Sequence, residues 1–276
     1  MSSLRTSGLL AAGLALGGTV HAQQGQALWE IGALGLAVSQ QAYPGAGQQV
    51  NRSLALPFVI YRGRYLRADR ETAGLRAPKT PRFELDLGFA GAFAARSDEI
   101  DARRGMPDLG TLVEAGPRLT WNLSGATDGA GAPRWRLELP LRGVFDLDDR
   151  FAHRGASFEP RLVYSQRADS GGSSSVSVAA IVADRRLART LYEVAPAFAL
   201  PDRAAYEARS GLVAWRLAGS ITVPITSDWL LFGIARIDAL AGAANRDSPL
   251  VRRSTGATLG LGVSYTWMRS ERRAED

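Results

Sequence analysis

Residues 83–93 read Phe83-Glu84-Leu85-Asp86-Leu87-Gly88-Phe89-Ala90-Gly91-Ala92-Phe93. Phe83, Leu85, Leu87, Phe89 and Phe93 fall on one face at period two, and Glu84, Asp86 and small residues fall on the other. Side chains alternate across a strand, so the stretch is a β-strand with one apolar and one polar or small face. A helix would scatter its two carboxylates around the circumference.

The same pattern recurs at 113–121, 135–142 and 257–267, where Leu259, Leu261, Val263, Tyr265 and Trp267 alternate with Gly260, Gly262, Ser264 and Thr266. Further candidates are 28–38, 52–61, 64–70, 156–167, 175–184, 189–194, 211–224 and 228–240. Several sustain alternation for ten or more residues, enough to cross a bilayer at about 9–11 tilted residues. Soluble sandwich strands usually run about 5–6. The reading is an all-β chain: a transmembrane, antiparallel, up-and-down β-barrel of about 12 strands. Segment 189–194 shows the pattern least, and ten strands is the alternative. Trp29, Trp121, Trp135, Trp229, Tyr265 and Trp267 sit near strand ends, where an interfacial girdle belongs.

Numbering the strands in order makes 39–51, 71–81, 124–133, 168–174, 195–210 and 241–254 outer loops. Arg62-Gly63 and Thr226-Ser227 become tight periplasmic turns. Segments 94–108 and 147–155 are long for that side. Pro57, Pro117, Pro140 and Pro160 fall inside proposed strands, where each lacks a ladder donor.

Arg5 is the only charge in the first 29 residues, the apolar run Leu9–Val20 is too short to span a bilayer, and Val20-His21-Ala22 ends on a small residue. Residues 1–22 therefore read as a cleaved export signal, 23–267 as the barrel and 268–276 as a polar tail. The 276 residues contain no cysteine and two histidines, and carry a net charge of +6. Disulfide frameworks and thiolate sites are excluded. After signal removal only His153 remains as a histidine base for a Ser–His arrangement, and it reads as a loop histidine near the membrane interface. No dinucleotide or P-loop motif occurs, and the reading includes no enzyme activity, cofactor or metal. Lys79 is the only lysine, and the many arginines are dispersed among carboxylates. Nucleic-acid modules concentrate basic residues on one patch; lipid and lipopolysaccharide are better partners for this distribution.

Alternation assigns Glu84, Asp86, Glu114, Arg118, Arg136, Glu138, Arg142, Glu159, Arg161, Arg216, Arg236 and Asp238 to the lumen. About eight strands enclose only side chains and 16–18 leave an aqueous channel. At twelve, mixed charge at this density favours a closed interior over a narrow pore.

Several segments together resemble the MltA-interacting protein (MipA/OmpV) family of outer-membrane proteins. They are Ala42-Tyr43-Pro44-Gly45, Leu56 to Arg64 (LPFVIYRGR), Arg104-Gly105-Met106-Pro107-Asp108-Leu109, Glu114-Ala115-Gly116-Pro117, Leu139-Pro140-Leu141-Arg142, Ala205 to Gly211 (AYEARSG) and Asp247-Ser248-Pro249-Leu250-Val251. The resemblance implies an outer-membrane barrel. It further implies a scaffold linking a lytic transglycosylase to a murein synthase, the role of the family's best-known member, while other members are porin-like or adhesive. Barrels commonly end on an aromatic residue, whereas here Trp267 is followed by the tail. The charged segment around the family's Gly-Met-Pro-Asp, with Arg96, Asp98, Glu99, Asp101, Arg103, Arg104, Gly105, Met106, Pro107 and Asp108, is the candidate partner-docking or plug loop. Scaffold, with a narrow solute channel as alternative, is the functional expectation.

Overall fold

A computed structural model describes residues 27–62, 66–68, 73–75, 80, 82–92, 96–124 and 132–272. The expected export signal, 1–22, and residues 273–276 of the tail lie outside them. The described residues form thirteen strand segments: β1 (Trp29–Gln41), β2 (Gln49–Arg62), β3 (Leu66–Ala68), β4 (Ala73–Leu75), β5 (Phe83–Ala92), β6 (Leu112–Asn122), β7 (Arg134–Asp146), β8 (Ala152–Phe158), β9 (Arg161–Arg167), β10 (Ser173–Ala183), β11 (Gly211–Pro224), β12 (Trp229–Ala239) and β13 (Thr255–Arg269). Among the described residues one α-helix, α1 (Arg185–Tyr192), interrupts them. All neighbours are antiparallel, and β1 pairs with β13. The two edges of the sheet, β4 and β5, lie side by side. The sheet is thus a barrel.

Pro160 accounts for the extra segment. β8 and β9 both pair with β7 and β10, one above the other, and form a single strand broken at Glu159-Pro160. Twelve strands result. Pro57, Pro117 and Pro140 remain inside continuous strands. Beside Pro117 the β6–β7 ladder skips Gly116 and Pro117, and the same register resumes at Arg118↔Pro140.

Two of the expected elements differ. Residues 189–194 are not a strand: α1 covers most of them. Asp184 caps it, its side chain accepting from the Leu187 N–H at 2.7 Å. Leu187, Ala188 and Tyr192 are its buried face, a helical spacing that the β-prone Thr190-Leu191-Tyr192 disguised. Conversely, Ala73–Leu75 is a strand where an outer loop was expected. The two errors cancel in the count but invert the sidedness of everything between them. Segments 96–111 and 147–151 lie at the same end as 42–48, 184–210 and 240–254. Residues 123–124 and 132–133 and turn 168–172 lie at the other end, with 225–228 and both described chain ends. There the Leu28 N–H donates to Arg272 O and the Ser270 N–H to Trp29 O, so the start of the tail continues the β1–β13 ladder beyond Trp267.

The outer surface is apolar. Leu85, Leu87, Leu141, Val178, Leu217, Ile237 and Leu261 are exposed. Phe83, Trp121, Trp135, Trp229, Tyr265 and Trp267 ring the end that holds the termini, in stacked or tilted pairs such as Trp135–Tyr164 at 5.0 Å and Trp229–Tyr265 at 4.7 Å. Phe145, Phe151 and Trp215 mark the opposite rim. Trp135 and Phe145 are ten residues apart on β7. At about 3.4 Å per residue and a tilt near 45° that separation rises about 24 Å, matching the ~25 Å apolar band of outer-membrane barrels.

Gly155 fixes where α1 docks. Its φ of +124° is in the region that favours glycine, and a Cβ there would meet the Leu187 backbone N at 2.4 Å. Gly155→Ala is therefore expected to lift α1 from β8 at a cost of about 2 kcal/mol or more. Limited trypsinolysis of the folded barrel should then cut at the exposed Arg185, Arg186 and Arg189, sites protected in the parent protein; an unchanged digest would refute this docking.

Candidate functional site: a packed lumen under a loop cap

The inward faces of β5–β12 carry the twelve candidate lumen charges, and their ion pairs follow the register. Asp86 and Arg118 are direct cross-strand partners and form a bidentate pair at 2.9 and 2.7 Å. Arg216 and Asp238 do the same at 2.7 and 2.9 Å. Glu138, opposite Arg161, is gripped at 2.6 Å by that residue and at 2.5 Å by Arg136. Arg142 reaches Glu114 at 3.3 Å and Glu159 at 3.8 Å, and Glu159 reaches Arg216 at 3.6 Å. That last contact spans β10, where Ala179 stands opposite both Arg161 and Arg216 and offers nothing beyond Cβ to obstruct it. Arg236 donates from Nε to Thr258 at 3.0 Å. Glu84 is on the same inward face.

The opposing wall is mixed: Leu36, Val38, Ile60 and Phe232 of β1, β2 and β12 point inward and are buried, while β13 presents the buried Thr258, Ser264 and Thr266. A water-filled pore would leave inward side chains accessible. Instead Arg142 and Glu138 are each 4% exposed, Val38 is 7% and Phe232 is 5%. At these positions the lumen is packed.

The candidate docking or plug loop is part of a cap over the end away from the termini. Ile100, Ala102, Met106 and Leu109 join Tyr43, Ala46, Val50, Val144, Leu187, Tyr192, Val194, Leu240 and Leu250 in one buried cluster. Tyr43 and Tyr192 meet edge to face at 5.9 Å. Their hydroxyls donate to Leu250 O at 2.8 Å and Pro44 O at 2.9 Å. Burial pushes the Tyr43 hydroxyl up to about 12 and raises that of Tyr192 further. Gln48 donates to Asp101 at 2.6 Å and Arg52 pairs with Glu99 at 2.8 Å, tying the segment to the start of β2. The Arg52 hydrogen bond holds Glu99 below the usual carboxylate range; the Ser97 N–H and Oγ do the same for Asp108 at 2.6 and 2.8 Å. Arg96–Asp98 and Arg104–Asp101 are exposed local pairs, and Gly105 turns at a φ of +78° with Pro107 exposed beside it.

Two buried arginines clasp the segment. Arg103 donates to the Thr190, Leu191 and Pro107 carbonyls, and burial lowers its pKa. Arg203, 4% exposed, donates to Phe198 O, Ala102 O and Arg104 O at 2.8–3.1 Å. Arg203, Gln48 and Arg52 were not among the residues expected from sequence. Only the Asp184 cap followed by helical apolar spacing at 187, 188, 191 and 192 could have signalled that 184–194 folds into a cap. His153 is exposed on the outer face against Phe145. Among the described residues no group of three His, Asp or Glu is arranged to hold a metal.

The model of the family described as MltA-interacting protein MipA matches residues 32–267. The chain belongs to this family. It is accordingly an outer-membrane β-barrel. Since the short turns of such barrels face the periplasm, the chain ends lie there and the cap faces outward. No curated protein sequence matches the chain. Among solved structures, the NanC porin matches with 10% identity and a TM-score of 0.36, over 87% of this chain and 99% of its own. An outer-membrane channel from Pseudomonas putida F1 matches with 11% identity and a TM-score of 0.43, over 90% and 100%. The transport unit of the autotransporter AIDA-I from Escherichia coli matches with 11% identity and a TM-score of 0.36, over 92% and 94%.

Proposed function

We propose that the protein is a closed outer-membrane scaffold whose periplasmic end recruits murein-processing enzymes, after removal of residues 1–22 as an export signal. The burial of inward side chains such as Glu138, Arg142, Val38 and Phe232 supports the closed half of this reading, because they occupy space that a pore would leave to water. The partner class rests on the family's description as MltA-interacting, and a lytic transglycosylase together with a murein synthase is the expected pair. Segment 96–108 serves as a plug in this reading, since it lies at the end away from the periplasm, and docking falls to the short turns and the chain ends. Arg186, Arg209, Arg252 and Arg253, exposed around the cap, suit the anionic groups of lipopolysaccharide.

Planar-bilayer recording and affinity capture from envelope extracts test both halves. The intact barrel should be electrically silent and should retain a lytic transglycosylase. Deleting 97–104 should leave that capture unchanged. Loss of capture on the deletion would return docking to the segment, and defined conductance steps from the intact protein would favour the narrow channel instead.

A further inference from the structure

Five of the six arginines expected from sequence to face the lumen engage a carboxylate; Arg236 does not. Beyond its Nε bond to Thr258, its guanidinium meets no carboxylate within ion-pair distance and its Nη donors have no acceptor among the described residues. The nearby carboxylates are committed. Both Asp238 oxygens accept from Arg216, and Glu159 lies between Arg142 and Arg216. The Thr258 contact swings the guanidinium over β13 towards β1. There the ladder that pairs Val38 with Gly260 and Ser39 with Leu259 brings Gln40 opposite Thr258 at its next step. Gln40 is 6% exposed, and its side-chain amide also has no hydrogen-bond partner among the described residues. Arg236, Thr258 and Gln40 therefore form one inward row, and Gln40 pairs in turn with Val50, a member of the cap core.

A guanidinium held in the lumen without a counter-charge is costly, and an unpartnered side-chain amide at low exposure carries a smaller cost of the same kind. Both costs fall if an anion bridges the two residues. The free Nη edge is a planar fork that matches a carboxylate in two parallel hydrogen bonds, and an amide N–H adds a third donor. We infer that Arg236 and Gln40, with Thr258 orienting the guanidinium, form a lumenal binding site for a small carboxylate directly beneath the cap. The site does not depend on the scaffold reading: a silent barrel can hold a carboxylate as well as a conducting one.

Acetate is the probe. Full-length folded protein in detergent micelles is unfolded thermally in sodium acetate and in sodium chloride at equal ionic strength. A ligand that binds only the folded state raises the midpoint with its concentration, so acetate should raise it above chloride. Arg236→Met should abolish that difference. Gln40→Leu should weaken the apparent acetate affinity about tenfold or less. Arg236→Lys, which keeps the charge but not the fork, should also weaken it, and keeps the inference testable if the methionine variant fails to fold. Equal midpoints in acetate and chloride, or an acetate effect that survives in Arg236→Met, would overturn the site. A larger shift in phosphate than in acetate would overturn the carboxylate class, and an undiminished effect in Arg236→Lys would overturn the two-bond geometry.

Discussion

Replacing Glu138 with leucine should destabilise the barrel by about 3–5 kcal/mol, read as a lower denaturant midpoint at unchanged slope. The size follows from what the substitution leaves behind. Glu138 is 4% exposed and holds two guanidiniums at 2.5 and 2.6 Å, and the side chains of Arg136 and Arg161 are themselves only 9% and 14% exposed. Leucine roughly fills the carboxylate's volume but strands two positive charges where little water reaches them. Replacing all three residues, as Arg136→Met, Glu138→Leu and Arg161→Met, removes the charges along with their partner and should recover much of the loss, since a buried ion cluster replaced by apolar side chains is often neutral or better. The comparison reads the state of the lumen. In a hydrated pore, water would screen the stranded arginines, and the single substitution would cost no more than about 1 kcal/mol, the range of exposed pairs. That result would also remove the support for a closed barrel.

The lumen pairs were legible because alternation and register are local rules. Once Glu84 and Asp86 are placed on the polar face of β5, their neighbours on β6 and β7 follow, and Asp86–Arg118 is a direct cross-strand pair. Long strands such as β11 and β13 announce themselves for the same reason: ten or more residues allow period two to be counted. Ala73-Gly74-Leu75 cannot show a period in three residues, and it pairs because β3 is beside it. At 189–194 two periods compete over six residues, and Asp184 settles the contest only through its hydrogen bond to Leu187. These two short segments decided which end of the barrel every loop between them faced, so a long charged segment expected at the periplasm lies at the outer end. The cap was illegible for another reason. Arg203 stands among exposed residues in the sequence Leu200-Pro201-Asp202, and its burial comes from carbonyls 99 and 101 positions away.

Arg203→Ala should therefore open the cap while sparing the barrel. The substitution removes every donor from Arg203 to the carbonyls of Phe198, Ala102 and Arg104 and leaves a cavity where the side chain was, against a small gain from relieving its repulsion of Arg103. Hydrogen bonds from a charged donor contribute about 1.5–3 kcal/mol each when deleted. A loss of about 3 kcal/mol in cap docking is a conservative expectation. The loss should be local, since the cap has its own buried cluster and is held to the barrel mainly at the strand ends. Hydrogen exchange on the folded protein distinguishes the cases. Amides in 96–108 and 196–206 should exchange faster by about two orders of magnitude, following from 1.4 kcal/mol per factor of ten, while β5–β13 keep their protection. Arg203→Lys should behave nearly as badly, because a single ammonium cannot reproduce a fork that serves three carbonyls in fixed directions. Uniform loss of protection across the strands would mean that cap and barrel form one cooperative unit, and then segment 96–108 could not act as a separable plug. Protection unchanged everywhere would mean that the apolar cluster around Ile100 and Tyr192 holds the segment without its clasp, and the cost of burying Arg203 would need another explanation.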